Sequence, residues 1–335
     1  YSQYVLQKPL DELKETHYIF LDEIQELVDF AKILKNWYDF GYSLKFIISG
    51  SSSIWISRGA EESLLGRIHT SVILPLKFTE VLRYRHILQE DFFKLREALQ
   101  ESFVRSLEKN DPVFFKESLD VLLAFIHSKQ ELIEIELHRY IVVGGYPEFL
   151  DEKDYGKIGE GIRDKVRLIF FKDIVRYFHI RNPLVLESLF QLLAKNSGGH
   201  LNITKAASLL EIQRPTLKDY LHYLSKAYLI HSSAFYSENR KVRIRKQEKM
   251  YVLDSGIRNG VLGCLDMSLL EDQKDVGMIV EAILFDHLLR LKYTLEPGPN
   301  PEIFYWKDTK EIDFIFCTRR KAIPIESKFR MHFSE

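Results

Sequence analysis

Asp22 and Glu23 follow directly on the apolar run Tyr18-Ile19-Phe20-Leu21. Apolar residues ending in two acids have the form of a buried parallel strand that presents carboxylates at its C-terminal end. There one carboxylate can bind Mg2+, directly or through water, while its neighbour polarises an attacking water, which is the division of labour of phosphoryl transfer. Helices also commonly begin with acidic residues, so the pair alone does not decide. A second apolar run, Leu44-Lys45-Phe46-Ile47-Ile48, ends in Ser49-Gly50-Ser51-Ser52-Ser53. Ser49 and Ser51 would carry hydroxyls to the same edge, within reach of a terminal phosphate. Arg67, after Gly66, could meet developing phosphate charge. The alternative is a plain serine turn and a surface arginine. No G-x-x-x-x-G-K-[ST] phosphate loop occurs in the 335 residues.

A second set of carboxylates lies near the other end. Ile312-Asp313-Phe314 sits in one β-like segment and Ile325-Glu326-Ser327-Lys328 closes the next. Strand period two puts Glu326 and Lys328 on one face. Asp313 and Glu326 could then ligate a metal while Lys328 orients or deprotonates water, with Glu281 on the preceding helix completing the shell. The bland alternative is a charged sheet face, or a fold of this type kept for binding alone.

A third set is basic. Arg214 and Lys218 lie at the start of an expected helix whose Leu217, Tyr220, Leu221 and Leu224 form one apolar stripe. Before it, Thr204 could cap a shorter helix, which makes a helix-turn-helix. Arg240-Lys241-Val242-Arg243-Ile244-Arg245-Lys246 alternates basic and apolar residues. Read as a strand, it puts Lys241, Arg243 and Arg245 on one face and turns Val242 and Ile244 to the core. Such a cationic wing suits phosphate contact with DNA. It would equally serve a solvated hairpin that discourages edge pairing, or a protein-binding winged helix.

These residues need an α/β multidomain scaffold. Residues 1–82 read as a parallel-sheet core, with apolar strands alternating with helices and covered on both faces. A third strand is expected over 71–75. Residues 83–150 read as a helical lid or insertion, ending in the sharp turn Gly144-Gly145-Tyr146-Pro147. A connecting helix follows over 151–182, then a winged helix-turn-helix over 183–248. Residues 249–335 return to α/β, with a helix near 276–291 and three short strands after it.

Composition narrows the field. With 46% hydrophobic and 28% charged residues the chain is globular and long enough for two or three domains. With 47 basic and 48 acidic residues, contact with nucleic acid must come from a local patch. Cys264 and Cys317 form no disulfide framework or zinc site, which fits a reducing cytoplasm. No signal peptide or run of membrane-spanning length is present. The eleven histidines are scattered without metal-ligand spacing. The chain starts at Tyr1 within a strand pattern, so a longer protein is expected, with its phosphate loop upstream.

The strings Phe20-Leu21-Asp22-Glu23-Ile24-Gln25, Ile48-Ser49-Gly50-Ser51-Ser52, Leu65-Gly66-Arg67, Leu74-Pro75-Leu76-Lys77-Phe78-Thr79-Glu80 and Gly144-Gly145-Tyr146-Pro147-Glu148 together resemble archaeal and bacterial AAA-type P-loop ATPases. Those proteins carry a C-terminal domain of unknown function related to restriction-endonuclease folds. The resemblance implies ATP and Mg2+ as cofactors, Asp22 and Glu23 as the Walker B pair, and Ser49 or Ser51 at the sensor-1 position. It also implies that Arg67 is the family's Gly-Arg arginine, acting in cis or on a neighbouring subunit of a homo-oligomer. Gln213-Arg214-Pro215-Thr216-Leu217 with Tyr220-Leu221 resembles the same family's middle region. Asp313, Glu326-Ser327-Lys328 and Glu281 resemble the PD-(D/E)xK nuclease pattern. The function so implied is an ATPase coupled to a DNA-binding winged helix and a nuclease-like domain. The alternative is an ATP-switched protein-interaction or defence protein whose nuclease fold is inactive.

Overall fold

The computed structural model describes residues 9–27, 29–50, 64, 66–69, 71–175, 178, 180, 182–295, 302–318 and 321–329. The chain divides into two compact units, Tyr1–Leu74 and Pro75–Glu335. Helix predominates, joined to a mixed sheet in the second unit.

In the first unit, strand β1 (His17–Leu21) and strand β2 (Leu44–Ile48) run parallel, in a register that pairs Leu21 with Ile48. Parallel neighbours need a crossover, and helix α1 (Phe30–Asp39) lies in it. Phe30, Ala31 and Leu34 bury one helix face against Leu21, Phe46 and Ile48, and Trp37 stacks on Phe46 at 5.3 Å. Period two decides which residues go in. Ile19 is buried, whereas Tyr18 and Phe20 are 57% and 74% exposed. Among the described residues the sheet is therefore covered on one face, not on both as the strand composition suggests. The strand expected over 71–75 is not formed, since 71–74 carry no regular structure and Pro75 lies in a bend.

The second unit opens with α2 (Phe78–Tyr84), α3 (Glu90–Lys109), α4 (Val113–His127) and α5 (Gln130–Val143). The long helix α3 ends on Asn110, whose left-handed backbone (φ 55°) closes the expected Asn-Asp-Pro break. Helix α6 (Tyr155–Leu168) continues into a π-helical stretch, Ile169–Val175. Helix α7 (Pro183–Lys195), strand β3 (Gly199–His200), α8 (Ile203–Leu209), α9 (Arg214–Lys226), β4 (Ile230–Phe235), α10 (Arg240–Arg245) and β5 (Lys249–Val252) follow. The chain continues through α11 (Ser255–Leu262), α12 (Gln273–Leu295), β6 (Phe304–Lys307), β7 (Glu311–Cys317) and β8 (Ala322–Ile325). The six strands form one sheet in the order β3-β5-β4-β6-β7-β8, antiparallel except for the β4–β6 pair. The 248/249 divide expected from sequence thus falls where β4 ladders with β5, inside a continuous sheet.

Helix α12 covers part of this sheet. Phe285 stacks on Tyr251 of β5 at 4.1 Å, and both meet Phe314 of β7. Each is wholly buried, which contributes about 2 kcal/mol apiece. A larger apolar cluster joins α5, α6, α7, α9 and α11 through Ile141, Ile162, Leu189, Phe190, Leu217, Leu224 and Ile257.

The cationic segment corrects a sequence expectation. Residues 240–245 form helix α10, not a strand. Asn239 caps it, accepting the Lys241 N–H at 3.0 Å. Val242 and Ile244 are 38% and 73% exposed, so neither points to the core.

The Gly144-Gly145 turn is built by close approach. Gly144 has φ 78°, and a Cβ there would lie 2.4 Å from Asp254 Oδ1. A Cβ on Gly145 would lie 2.1 Å from the Leu76 carbonyl oxygen. Leu76 N–H donates to the Gly145 carbonyl at 2.7 Å, and Gly145 N–H donates to Asp254 Oδ2 at 2.9 Å. Burial pushes the Asp254 carboxyl up to about 6, against the backbone N–H groups of Gly145 and Ile257 that favour its charge.

Candidate functional site

In the first unit the site is made by two strand ends. Because β1 and β2 are parallel and in register, Asp22 and Ser49 emerge side by side from their C-terminal ends. The backbone ties the two turns together: Ser49 N–H donates to the Leu21 carbonyl at 2.9 Å, and Ile24 N–H donates to the Ser49 carbonyl at 3.0 Å. The Ser49 hydroxyl donates to Asp22 Oδ1, which fixes the carboxylate. Both side chains are open to solvent. Glu23 takes a left-handed backbone, φ 50° and ψ 46°. A non-glycine residue there costs on the order of 1 kcal/mol, and such positions cluster at functional sites.

Asp22 and Ser49 offer carboxylate and hydroxyl oxygens, the hard donors that Mg2+ takes. Arg67 sits elsewhere in its unit. Its Nε pairs with Asp39 at the end of α1 at 2.9 Å, and its guanidinium lies 5.7 Å from the Tyr38 ring centre. As a half-exposed pair this contributes under about 1 kcal/mol, so Arg67 is cheaply released. Ser51 lies outside the described residues.

In the second unit the predicted carboxylates are distributed differently from expectation. Glu281 of α12 turns to β5, where its Oε1 accepts from Lys249 Nζ at 2.9 Å and from Tyr251 Oη at 2.8 Å. Lys249, only 3% exposed, also pairs with Glu311 Oε1 of β7 at 2.7 Å. Glu311 Oε2 is met by Lys307 at 2.8 Å and His200 at 3.2 Å. A register shift between β6 and β7 near Phe304 and Trp306 interrupts the alternation of this strand. Burial works to lower the Lys249 ammonium, yet the facing carboxylates outweigh it and hold it above the usual lysine value. Burial likewise opposes charge on Glu311, but hydrogen bonds from Lys249 and Lys307 bring its carboxyl down to about 2. Burial and the Glu281 carboxylate push the Tyr251 phenol far up, which keeps it a donor.

Asp313 lies beside this cluster and accepts the Ser327 N–H at 2.8 Å. The last β7–β8 pair is Phe314 with Ile325, so Asp313 and Glu326 follow it side by side. Glu326 and Lys328 are both exposed. Among the described residues no three His, Cys, Asp or Glu side chains converge as metal ligands. Glu281, Asp313 and Glu326 are accordingly not gathered into one shell. Lys249, Glu311, Tyr251 and His200 escaped sequence reading. The available signal was a lysine opening the otherwise apolar strand Lys249-Met250-Tyr251-Val252.

The basic residues are all at the surface. Arg214 and Lys218 are exposed on the first turns of α9, whose Leu217, Tyr220 and Leu224 are buried. On α10, Arg240, Lys241 and Arg245 are exposed. Arg243 lies over the Phe304 ring at 5.3 Å, 3.7 Å from Glu302.

Comparison with known proteins bears on the first site directly. Residues 1–82 match a family model described as an AAA domain. Residues 134–268 match a second, described as a domain of unknown function (DUF8612). An uncharacterized protein of the archaeon Methanocaldococcus jannaschii is 28% identical over 319 residues, covering 93% of this chain and 61% of its own length. An uncharacterized protein of Haemophilus influenzae is 24% identical over 336 residues, covering 98% of this chain and 70% of its own. An uncharacterized Mycobacterium tuberculosis protein is 24% identical over 152 residues, 45% of this chain and 33% of its own. The chain thus spans about three fifths of the archaeal relative. No solved structure matches. Among the described residues no helix is long and apolar enough to cross a membrane.

Proposed function

We propose that this chain belongs to an ATP-hydrolysing AAA-type protein and that its first unit supplies the acidic half of the nucleotide site. One observation carries the reading: Asp22 and Ser49 stand hydrogen-bonded at the ends of adjacent parallel strands, within the segment that matches an AAA domain. Mg2+, when bound, neutralises charge on the phosphates. Asp22, oriented by Ser49, would hold that ion directly or through water. Glu23 would orient the attacking water and take its proton, and Ser49 or Ser51 would face the terminal phosphate. Arg67 would leave Asp39 to meet phosphate charge. The reading is tested on the full-length protein by phosphate release from Mg-ATP; no turnover above background would sink it.

The second unit is read as the effector. The succession α7-β3-α8-α9-β4-β5, with strand order β3-β5-β4, supports a winged helix-turn-helix with α10 in place of the wing tip. Arg214 and Lys218 on α9, with Arg240, Lys241, Arg243 and Arg245 on α10, would meet DNA phosphates. Reversing charge at Arg243 and Arg245 together should lower DNA affinity about tenfold or more at low salt and flatten its salt dependence by about two phosphate contacts. Fluorescence anisotropy over a salt series checks this, and an unaltered slope removes α10 from the interface.

A second reading for the C-terminal strands has its own support. Lys249 already places a cation between Glu281 and Glu311, so Glu281 is engaged by a charge built into the fold. This favours a nuclease-like fold used for ATP-switched binding of DNA or a protein partner over one that cleaves. Intact plasmid and branched DNA after incubation with Mg2+ or Mn2+ would support it. Cleavage that disappears in Lys328→Ala would restore the metal site of Asp313 and Glu326.

A further inference from the structure

Away from both sites, a cavity of about 410 Å³ opens between the α3–α4 hairpin, α12 and the β7–β8 edge. Its size lies in the range that holds small organic ligands. Leu99 and Phe103 of α3, Phe115 of α4, Leu288 of α12, Phe316 of β7 and Ile325 of β8 give it apolar walls. The hairpin is fastened across it, since Lys321 Nζ donates to Asn110 Oδ1 at the hairpin's tip. The remaining wall is cationic, with Lys77, Arg96 and Arg290.

The charges on that wall do not cancel. Lys77 is matched by Glu80 at 3.4 Å. Arg290 is matched by Asp286, with Nε 2.8 Å from Oδ2 at an angle that makes an ion pair and no hydrogen bond. Its Nη1 donates to the Pro75 carbonyl at 2.9 Å. His287 adds no charge: its Nδ1 meets the Ile283 carbonyl at 2.8 Å and its Nε2 accepts the Phe78 N–H at 3.3 Å, the pattern of a neutral ring. Among the described residues Arg96 alone on this wall has no acid within ion-pair distance. Its guanidinium lies 5.2 Å from the Phe93 ring centre, and its Nε is closed off from solvent with no hydrogen-bond partner among the described residues. Arg96 lines the cavity, and a guanidinium with no acid beside it is matched best by a carboxylate.

We propose that this cavity binds a monoanionic amphiphile, an aliphatic carboxylate of medium chain length, with its chain against Leu99, Phe103 and Leu288 and its carboxylate on Arg96. One unmatched cation calls for one negative charge, which selects a carboxylate over the dianion of a phosphate monoester. The apolar walls select a hydrocarbon tail over a hydrophilic acid.

Isothermal calorimetry on the full-length protein, with decanoate and decanol as probes, tests this. Decanoate should bind one to one and tighter than decanol. Arg96→Gln should weaken decanoate by about tenfold and leave decanol unchanged. Leu99→Trp, which fills the cavity, should abolish both. Thermal melting shows whether each variant folds; should Arg96→Gln not fold, Arg96→Lys takes its place, with decanoate expected to bind more weakly than to the parent chain. Equal affinity for the acid and the alcohol, or a decanoate affinity indifferent to Arg96, overturns the proposal. So does undiminished binding to Leu99→Trp, or no binding of decanoate at all.

Discussion

Glu23→Gln in the full-length protein should lower ATP turnover by about a hundredfold or more while leaving nucleotide binding nearly intact. The carboxylate is assigned the water's proton, and glutamine keeps the side chain's size and hydrogen-bonding reach while losing basicity. Asp22→Asn should differ in kind. Its damage should fall on the metal, so that raising Mg2+ recovers part of the rate. The backbone adds a further contrast. Glu23 holds a left-handed conformation that glycine adopts freely, so Glu23→Gly should not destabilise the fold through strain, yet should be as inactive as glutamine. Steady-state phosphate release with a nucleotide-binding assay separates these outcomes. Unchanged turnover in Glu23→Gln would show that the water is activated elsewhere and that the Asp22-Glu23 assignment is wrong.

The largest effect on stability is expected at Lys249. Lys249→Met removes one ammonium and leaves Glu281 and Glu311 facing each other, a loss of about 3–5 kcal/mol at neutral pH. The pH dependence has a definite sign. The Glu311 carboxyl is depressed from 4.5 to about 2 in the fold, so its contribution is fully present above pH 4.5 and is lost as pH falls toward 2. The gap between parent and variant should therefore be widest above pH 4.5 and narrow below it. Chemical denaturation at pH 7 and pH 3 measures both. The same variant probes the idle-nuclease reading: with its built-in cation gone, the cluster should gain thermal stability from Mn2+, whereas the parent should not. A Lys249→Met chain as stable as the parent at pH 7 would mean that the cluster is far wetter than its burial implies.

Much of the framework was legible because its signals are local. The apolar runs ending at Leu21 and Ile48, the long helix around Glu281 and the three closing strands all declare themselves by period and by turn residues. What escaped depends on distant partners. In six residues, Arg240-Lys241-Val242-Arg243-Ile244-Arg245 fits a strand's alternation as well as a helical turn and a half; the Asn239 cap tips it to helix. Lys249 reads as a surface lysine unless Glu281 and Glu311, far along the chain, are known to fold over it. The Gly144-Gly145 turn was conspicuous, but its purpose was not, since it rests on Leu76 and Asp254 from opposite sides in sequence. Of the residues proposed for a nucleotide site, Asp22 and Ser49 stand hydrogen-bonded at adjacent strand ends, while Arg67 pairs with Asp39.

The Asp254 carboxylate accepts the N–H groups of Gly145 and Ile257, at a turn and at the first turn of a helix. Amides in such places ordinarily trade their protons with water within moments, because nothing holds them between brief openings. Here both are bonded to one buried acid, itself packed against Gly144 and Gly256. Their deuterium uptake should be as slow as that of the central strands, and they should open only when the whole second unit does. A turn that exchanges like a core would mark residues 140–146 and 254–259 as the last part of the molecule to come apart.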